Sequence, residues 1–490
     1  MKKIDRRRPT SIGPLAVAIF AAMLFCQSAT GAEVQLTQQA SFSQLNEKWL
    51  GDFDEMAKKR QIRVLVAYSK TFFFLDRGRQ RGISHDFLKE FEKSINKQLK
   101  TKTLKVQVVF IPVRRDELIP GLVQGFGDLA VANLTVTPQR RKHVDFSNPL
   151  MSGVKELLVS GPAARPVSGI DSLAGQELHV RKSSSYYESL VKLNETFEKA
   201  GKSQMELIAA DEAFEDEDLL EMVNAGIIPM IVMDSHKAKF WTQIFDKIQV
   251  HDDVAVRTGG EIAWAFRKNS PQLKAVVNQF VKGHKKGSLI GNMLLKRYLK
   301  NTKYVKNSVS KEELQKFEQM VKLFKHYAET YDFDYLLMAA MAYQESGLDQ
   351  SRKSHAGAIG VMQLLPSTAA DRNVNISEIQ KLENNIHAGT KYMRFIVNRY
   401  YKDEPMDDVN KMLFAFASYN AGPAKVNKLR KKAAAMGLNP NLWFHNVEVA
   451  AAKVIGRETV QYVSNIYKYY IAYRMITEQE KRRRNLMQDK

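Results

Sequence analysis

Glu345 is the acidic side chain whose surroundings in the sequence best suit proton transfer. Apolar residues recur with helical spacing over residues 334–346, with Asp334 as a suitable N-cap and Gly347 as a suitable end. At the last turn of such a helix, desolvation and the negative end of the helix dipole both disfavour a charged carboxylate. We therefore expect a carboxyl group that stays protonated near neutral pH, the form that can protonate a glycosidic oxygen. The pattern alone also allows a frayed, solvated helix end.

Further motifs follow Glu345 in a fixed order. The next is glycine-rich and ends at Gln363, whose amide offers a donor and an acceptor to a sugar, while Gly357 and Gly360 allow close approach of the backbone to a ligand. The full order is ES, GVMQ, YNAG and ETVQYV, and these motifs end at Ser346, Gln363, Gly422 and Val463. This ordered set resembles the lytic transglycosylase domain related to goose-type lysozyme, over roughly residues 311–476.

The resemblance implies an all-α, lysozyme-like fold in which Glu345 is the single catalytic acid and base. It also implies that a glycan cleft is lined by Ser354, Gln363, Tyr419, Asn420, Glu458 and Tyr462. The chain departs from the family at His355, often proline, at Val361, often leucine, and at Ser418, where alanine is common. None of these departures removes an expected reacting group.

A single carboxylate needs an explanation, because glycosidases generally use two. Asp349 is close to Glu345 in the sequence, but it follows the predicted turn and is expected in a loop. One acid suffices if the substrate supplies its own nucleophile. The resemblance implies that the C6 hydroxyl of N-acetylmuramic acid attacks its own anomeric carbon, which leaves a 1,6-anhydro end on peptidoglycan. A hydrolytic muramidase and a nonenzymatic receptor that only holds glycan are the alternatives.

The elements that precede this domain predict two α/β lobes. Strand-like runs alternate with helical spacing, and they lie at 61–68, 106–112, 128–132, 177–180, 205–209, 229–233 and 259–266. Such alternation predicts a mainly parallel sheet, and two lobes in tandem predict a ligand cleft between them. The expected fold is therefore a two-lobed α/β domain, like that of periplasmic binding proteins, followed by an all-α lysozyme-like domain.

Two motifs in the first domain carry a second resemblance. LTVTPQR begins at Leu134 and VDFSNP at Val144, and together they resemble the family 3 periplasmic solute-binding fold of the amino-acid-binding type. The ligand-binding residues that this implies are Phe74, Thr135, Arg140, Ser184 and Asp234. The planar guanidinium of Arg140 suits a ligand carboxylate, and Asp234 matches the acid that holds the amino group. Ser184 lies at a predicted helix N-terminus, which also attracts anions.

Other interpretations of this cleft stay open. Arg79 and Arg81 make residues 71–82 unusually basic, so the ligand could be larger or more acidic than a free amino acid. Ser183 also stands where glycine is common. Arg140 could instead form a surface ion pair, and the lobes could bind nothing.

The N-terminus has the pattern of a signal peptide. Basic residues at 2–8 precede an apolar run at 12–25, which is too short for a comfortable membrane span, and cleavage is expected after Ala32. The alternatives are an uncleaved anchor and a lipid on Cys26, although Phe25 is larger than the residue usual before a lipidated cysteine. The expected location is the periplasm, peripheral at the outer membrane.

Composition restricts the partners of the chain. The net charge is +21, and +17 without residues 1–32; such a charge favours anionic surfaces, such as an acidic glycan-peptide polymer or lipid headgroups. Export and the sugar motifs argue against nucleic acid. The partners we expect are peptidoglycan, a small amino-acid or peptide ligand of a regulatory first domain, and a membrane surface. No cofactor or metal is expected, because one Cys and ten His lack zinc-binding spacing.

These observations divide the chain into six predicted segments. They are a signal peptide at 1–32, a linker at 33–60, the solute-binding-like domain at 61–300, a linker at 301–310, the lytic transglycosylase domain at 311–476 and a basic tail at 477–490.

Overall fold

The computed structural model describes residues 48–76, 79–300, 302 and 311–488. The predicted signal peptide and nearly all of the predicted second linker lie outside these residues. Residues 53–59 of the predicted first linker form a helix whose Phe53 and Met56 are buried. Among the described helices, none combines the length and apolar character needed to cross a membrane.

Eleven strands are described, all of them in the first domain (residues 49–300). They are β1 (Gln61–Ala67), β2 (Phe74–Asp76), β3 (Arg79–Arg81), β4 (Gln107–Val113), β5 (Leu129–Thr135), β6 (Val144–Phe146), β7 (Met151–Ser160), β8 (Glu177–Val180), β9 (Glu206–Ala209), β10 (Met230–Asp234) and β11 (Gln249–Arg267). The main sheet has the order β10-β7-β11-β5-β1-β4, with β6 also paired to β11.

The direction of the strands corrects one prediction. β1 runs parallel to both β4 and β5, and β8 runs parallel to β9. However, β11 is antiparallel to β5, β6 and β7, and β10 is antiparallel to β7. A mainly parallel main sheet was therefore wrong. Alternation along the sequence implies helical crossovers, whereas β11 enters the sheet between β7 and β5 in the opposite direction.

Helices cover the lobes of the first domain and build the second, helical domain (residues 311–488). Those of the first domain are α1 (Phe53–Lys59), α2 (Ile83–Gln98), α3 (Leu118–Val123), α4 (Pro138–Arg141), α5 (Ser185–Lys199), α6 (Asp216–Ala225), α7 (Ser235–Trp241), α8 (Pro271–His284) and α9 (Leu289–Leu299). Separate apolar cores lie in the two lobes, one around Phe91 and Phe266 and the other around Leu190 and Trp241.

The helical domain contains the remaining eight helices of the described chain. They are α10 (Lys311–Thr330), α11 (Tyr335–Ser346), α12 (Pro366–Ala370), α13 (Leu382–Tyr400), α14 (Asp408–Ala421), α15 (Pro423–Ala435), α16 (Glu448–Val454) and α17 (Arg457–Gln488). Their core includes Met341, Phe414 and Trp443, all with no exposed surface. The predicted order, a two-lobed α/β domain followed by an all-α domain, is confirmed. Helix α17 continues into the stretch predicted as a basic tail.

The two domains share an interface along α17. The Ser464 hydroxyl donates to Gln107 Oε1 at the start of β4 at 2.5 Å, and Lys468 Nζ lies 3.9 Å from Glu92 Oε2 on α2. Further along α17, Ala472 and Ile476 are buried within the first-domain core. One helix therefore contributes to the cores of both domains.

Candidate active site

Helix α11 positions Glu345 one residue before its last residue. The Asp334 carboxylate accepts a hydrogen bond from the Leu336 N–H at 2.9 Å and so caps the start of the helix. Gly347 ends it in the left-handed conformation, with φ of 72°. Both predicted ends are present, and Glu345 lies half-buried on a capped helix rather than at a frayed end.

The surroundings of Glu345 favour its neutral form. Burial raises the pKa of the Glu345 carboxyl, and it outweighs the hydrogen bond from Tyr462 and the positive charge of Arg352, so that the pKa reaches about 7. The Tyr462 hydroxyl donates to Glu345 Oε1 in a short hydrogen bond. Because Tyr462 lies on α17 and is almost fully buried, it fixes the direction of the carboxyl group. A protonated carboxyl near pH 7 can act as a general acid.

A polar cavity of about 640 Å³ opens beside Glu345. Its lining combines carboxyl, amide, hydroxyl and cationic groups, from Lys105, Gln344, Glu345, Asn420, Arg457, Glu458, Gln461 and Tyr462. This is a size typical of small-molecule sites, and it suits a ligand with many hydroxyl and amide groups. In the part of the chain that the structure describes, no three His, Cys, Asp or Glu side chains are grouped to hold a metal ion.

The structure brings four of the seven predicted site residues together on this wall. Besides Glu345 and Tyr462, they are Asn420, whose Oδ1 accepts from the Thr459 hydroxyl at 2.7 Å, and the exposed Glu458. Tyr419 lies next to them, but its hydroxyl donates to the Met362 carbonyl oxygen at 2.8 Å.

The structure places the other two predicted residues, Ser354 and Gln363, in the glycine-rich loop, where their side chains stabilise the loop itself. Gln363 Nε2 donates to the carbonyl oxygens of Gly360 at 2.8 Å and Arg352 at 3.1 Å, and Ser354 Oγ accepts from the Ala358 N–H at 3.0 Å. Neither residue is among those that line the cavity. Their expected contact with glycan stays a prediction.

Asn385 holds this loop in place, and the motifs did not reveal it. It is fully buried on α13, its Oδ1 accepts from the Met362 N–H at 2.8 Å, and its Nδ2 donates to the Ile359 carbonyl oxygen at 2.9 Å. A Cβ at Gly360, which has φ of 79°, would meet the Asn385 side chain at 2.6 Å. The missing side chain of Gly360 therefore allows its backbone to lie against the Asn385 side chain.

Four lining residues were not predicted: Lys105, Gln344, Arg457 and Gln461. Helical spacing carries a signal for two of them, because Gln461 lies three residues after Glu458 and four after Arg457 on α17. No local pattern identifies Lys105, which comes from the first domain.

The predicted ligand site of the first domain is a much smaller cavity. Its volume is about 30 Å³, and its lining includes Thr135, Arg140 and Ser184. Arg140 is buried, and its guanidinium donates to the carbonyl oxygens of Thr135 at 2.8 Å and Ser183 at 2.9 Å, which links the two lobes. Ser184 Oγ caps α5 by accepting from the Tyr187 N–H at 3.2 Å. Thr135, Arg140 and Ser184 are thus together.

Asp234 and Phe74 do not line this cavity. Asp234 is buried next to it, and its Oδ2 accepts from Asn133 Nδ2 at 2.7 Å. Phe74 is buried in the first-domain core, where its ring lies 6.4 Å from that of Tyr298, centroid to centroid. Strand β2 pairs with β3, and this turns Phe74 towards the core.

Charged side chains of the chain itself fill the rest of the cleft. Arg115 Nε lies 2.8 Å from Glu215 Oε2, and Lys237 Nζ lies 2.6 Å from Asp216 Oδ2, while Arg181 pairs with both acids. Since roughly 10–15 Å³ of probe-occupied volume holds one water, 30 Å³ is room for about two waters and not for an amino acid. The lobes are closed on their own ion pairs.

Comparisons with known proteins agree with this arrangement. Residues 322–441 match the family model of the transglycosylase SLT domain, and residues 62–300 match that of bacterial extracellular solute-binding proteins, family 3. An ancestral arginine-binding protein bound to arginine is a solved structure with a TM-score of 0.40 and 20% identity, over 49% of this chain and 97% of its own.

Relatives align with this chain over a length that spans both of its domains. Membrane-bound lytic murein transglycosylase F of Desulfosudis oleivorans is 27% identical over 433 residues, which cover 84% of this chain and 89% of the relative. The protein of the same name from Pseudomonas fluorescens Pf0-1 is 27% identical over 438 residues, 85% of each. The chain is therefore a lytic transglycosylase in which a family 3 solute-binding domain precedes an SLT domain. The relatives to which it is similar over most of its length are named membrane-bound lytic murein transglycosylase F.

Proposed function

We propose that the chain cleaves the β-1,4 bond between N-acetylmuramic acid and N-acetylglucosamine in peptidoglycan and leaves a 1,6-anhydro-N-acetylmuramic acid end. The observation that carries this proposal is the half-buried carboxyl of Glu345, with a pKa of about 7, held by Tyr462 on the wall of a polar cavity. The names of the relatives are consistent with a murein substrate.

The reaction uses Glu345 twice. The Glu345 carboxyl first protonates the glycosidic oxygen, and the bond from this oxygen to the anomeric carbon breaks. The C6 hydroxyl oxygen of the same muramyl residue then bonds to the anomeric carbon, and its proton returns to the Glu345 carboxylate. No water is consumed. The intramolecular attack benefits from proximity, which contributes about 7 kcal/mol or more in favourable systems.

Hydrolysis is the second candidate because another carboxylate, Glu458, lines the same cavity. In a hydrolytic enzyme that side chain would activate a water or act as the nucleophile. Glu458 is exposed, whereas Glu345 is held by Tyr462, so we favour the mechanism with one acid.

Product analysis on purified peptidoglycan tests this function. We expect mass spectrometry to find muramyl ends lighter by one water than reducing ends. Glu345→Gln should lower the turnover by about 10²–10⁴-fold, as loss of general acid–base catalysis does, while glycan still binds. Glu458→Gln is the matched control and should retain anhydro products. Reducing ends alone, or an active Glu345→Gln variant, would refute the proposal.

We also propose that an amino acid or wall peptide in the first domain regulates turnover. The support is the buried guanidinium of Arg140, whose two hydrogen bonds go to carbonyl oxygens that a ligand carboxylate can replace. Binding requires the lobes to separate first, because the cavity is about 30 Å³. Turnover with and without wall peptides, in the wild type and in Arg140→Ala, tests this. Equal rates in every case would refute it.

The proposed location is the periplasm, peripheral at the outer membrane. The basic and apolar N-terminal pattern supports export, and the net charge of +17 that remains without residues 1–32 supports binding to an anionic surface. Cell fractionation with a salt wash tests both parts. Recovery in the cytoplasm would contradict export, and resistance to salt would contradict peripheral attachment.

A further inference from the structure

Lys105 is the feature of the active-site cavity that neither the motifs nor the family assignment explains. Of the eight lining residues, all within the described part of the chain, it is the one from the first domain. The other seven belong to α11, α14 and α17. The solute-binding domain therefore contributes a cation directly to the site that contains Glu345.

The backbone next to Lys105 is held firmly. The buried Asn96 side chain bonds Val106 from both sides, since its Oδ1 accepts from the Val106 N–H at 2.9 Å and its Nδ2 donates to the Val106 carbonyl oxygen at 2.7 Å. One residue further on, the Gln107 side chain accepts from Ser464 on α17 at 2.5 Å. Lys105 is thus fixed relative to the helix that carries Tyr462.

Two cations of the cavity have no ion-pair partner among the described residues, and the exposed carboxylate of Glu458 lines the same cavity. Among the described residues, no side-chain hydrogen bond or ion pair involves Lys105 or Arg457, although both line the cavity with Glu345. Lys105 is half-buried, and Arg457 is exposed at the first residue of α17. With a pKa raised by burial to about 7, Glu345 is mostly protonated below that pH and there adds little negative charge. A half-buried, unpaired ammonium group beside a polar cavity suits an anionic ligand group.

We propose that Lys105, with Arg457, binds a carboxylate of the glycan substrate, so that the first domain takes part in substrate recognition. This rests on the proposed function. Carboxylates are the anionic groups of peptidoglycan, and two sources fit: the lactyl group of a muramyl residue without peptide, and the stem peptide. Lys105 is a substrate-binding residue in this account and transfers no proton.

Binding measurements in the Glu345→Gln background test the proposal without turnover. Three oligosaccharides of equal length serve as probes: a muramyl glycan with stem peptides, the same glycan with free lactyl groups, and a neutral N-acetylglucosamine oligomer. We expect Lys105→Met to weaken binding of one or both muramyl probes about tenfold, the scale of one charge-assisted hydrogen bond. The neutral oligomer should bind unchanged.

The pattern of loss identifies the carboxylate. A loss for the free lactyl probe assigns the lactyl group, and a loss for the peptide-bearing probe assigns the stem. Lys105→Arg should retain most of the affinity, and Lys102→Met, at an exposed site three residues earlier, should change none. An unchanged melting temperature of Lys105→Met verifies its fold. Equal loss for the neutral oligomer, or no loss at all, overturns the proposal. Failure of the proposed function would instead appear as missing anhydro products in the wild type.

Discussion

At the scale of single residues, the Glu345–Tyr462 contact sets the pH range of the enzyme. Burial raises the pKa of Glu345, while the hydroxyl of Tyr462 stabilises the carboxylate and lowers it. Because the proposed reaction begins with a protonated Glu345, we expect activity to fall as the pH rises through about 7. Tyr462 therefore lowers the pH at which activity should fall, compared with the pH that burial alone would set.

The Tyr462→Phe variant tests this balance. Without the hydroxyl, the carboxylate loses its donor, so the pKa of Glu345 should rise and the alkaline limb of kcat/KM should move to higher pH. Tyr467→Phe, on the same helix and not among the cavity-lining residues, is the control and should leave the profile unchanged. A limb that stays in place or moves to lower pH would show that Tyr462 does not act on this carboxyl group.

The sequence predicted residues at this site where local rules apply, and failed where contacts span the fold. Glu345 follows from an apolar helical run, a cap and a glycine, all within residues 334–347. Gln363 was expected to contact glycan, and this stays a prediction, while its Nε2 donates to the carbonyl oxygens of Gly360 and Arg352. Lys105 reaches the cavity by the packing of two domains, which no local spacing encodes.

At the scale of elements, α17 and α2 are joined by a buried ion pair. Burial would raise the pKa of Glu92, but the positive charges of Lys468 and Lys89, with the Val108 N–H, lower it to about 2. The Lys468 side chain is 8% exposed, and its Nζ lies 3.9 Å from Glu92 Oε2. A buried lysine without its partner is strongly destabilising.

We expect Glu92→Gln to lower the free energy of unfolding at pH 7 by about 3 kcal/mol, because it leaves Lys468 buried and unpaired. The lowered pKa of Glu92 means that this contribution is present above a pH of about 4.5 and is lost as the pH falls towards 2. Denaturant titration measures it, and adding Lys468→Met should recover part of the loss.

An ion pair at the surface of α2, the helix that carries Glu92, supplies the control. Glu90 pairs with Lys93 at 2.7 Å in solvent, so Glu90→Gln should change the stability by no more than about 0.5 kcal/mol. If the two substitutions cost the same, the ion pair between α2 and α17 has no special role.

The extents of α11 and β11 also show that the sequence predicts local features better than long-range pairing. Helix α11 matches its predicted extent because caps and apolar spacing are local. β11 is 19 residues long and pairs with β5, β6 and β7, whereas the sequence predicted only its last part. Its register shifts against β7, which interrupt the regular alternation of side chains, concealed the earlier part.

At the scale of the whole molecule, the two domains should unfold together. Ile476 of α17 is 2% exposed in the core of the first domain, so Ile476→Ala should cost about 2–5 kcal/mol. We expect hydrogen exchange to lose protection both in β4 and in α11. Thr477→Ala, at the exposed neighbouring position, should change the stability by less than about 0.5 kcal/mol. Loss of protection in only one domain would contradict this coupling.

The apolar end of α17 also limits how the chain can be divided. If a protease cut between residues 300 and 311, Ala472 and Ile476 would stay buried only while the two domains remained associated. Without the first domain, the helical domain would expose this apolar surface to solvent and would tend to aggregate. A helical domain prepared alone should therefore need polar residues at positions 472 and 476 to stay soluble.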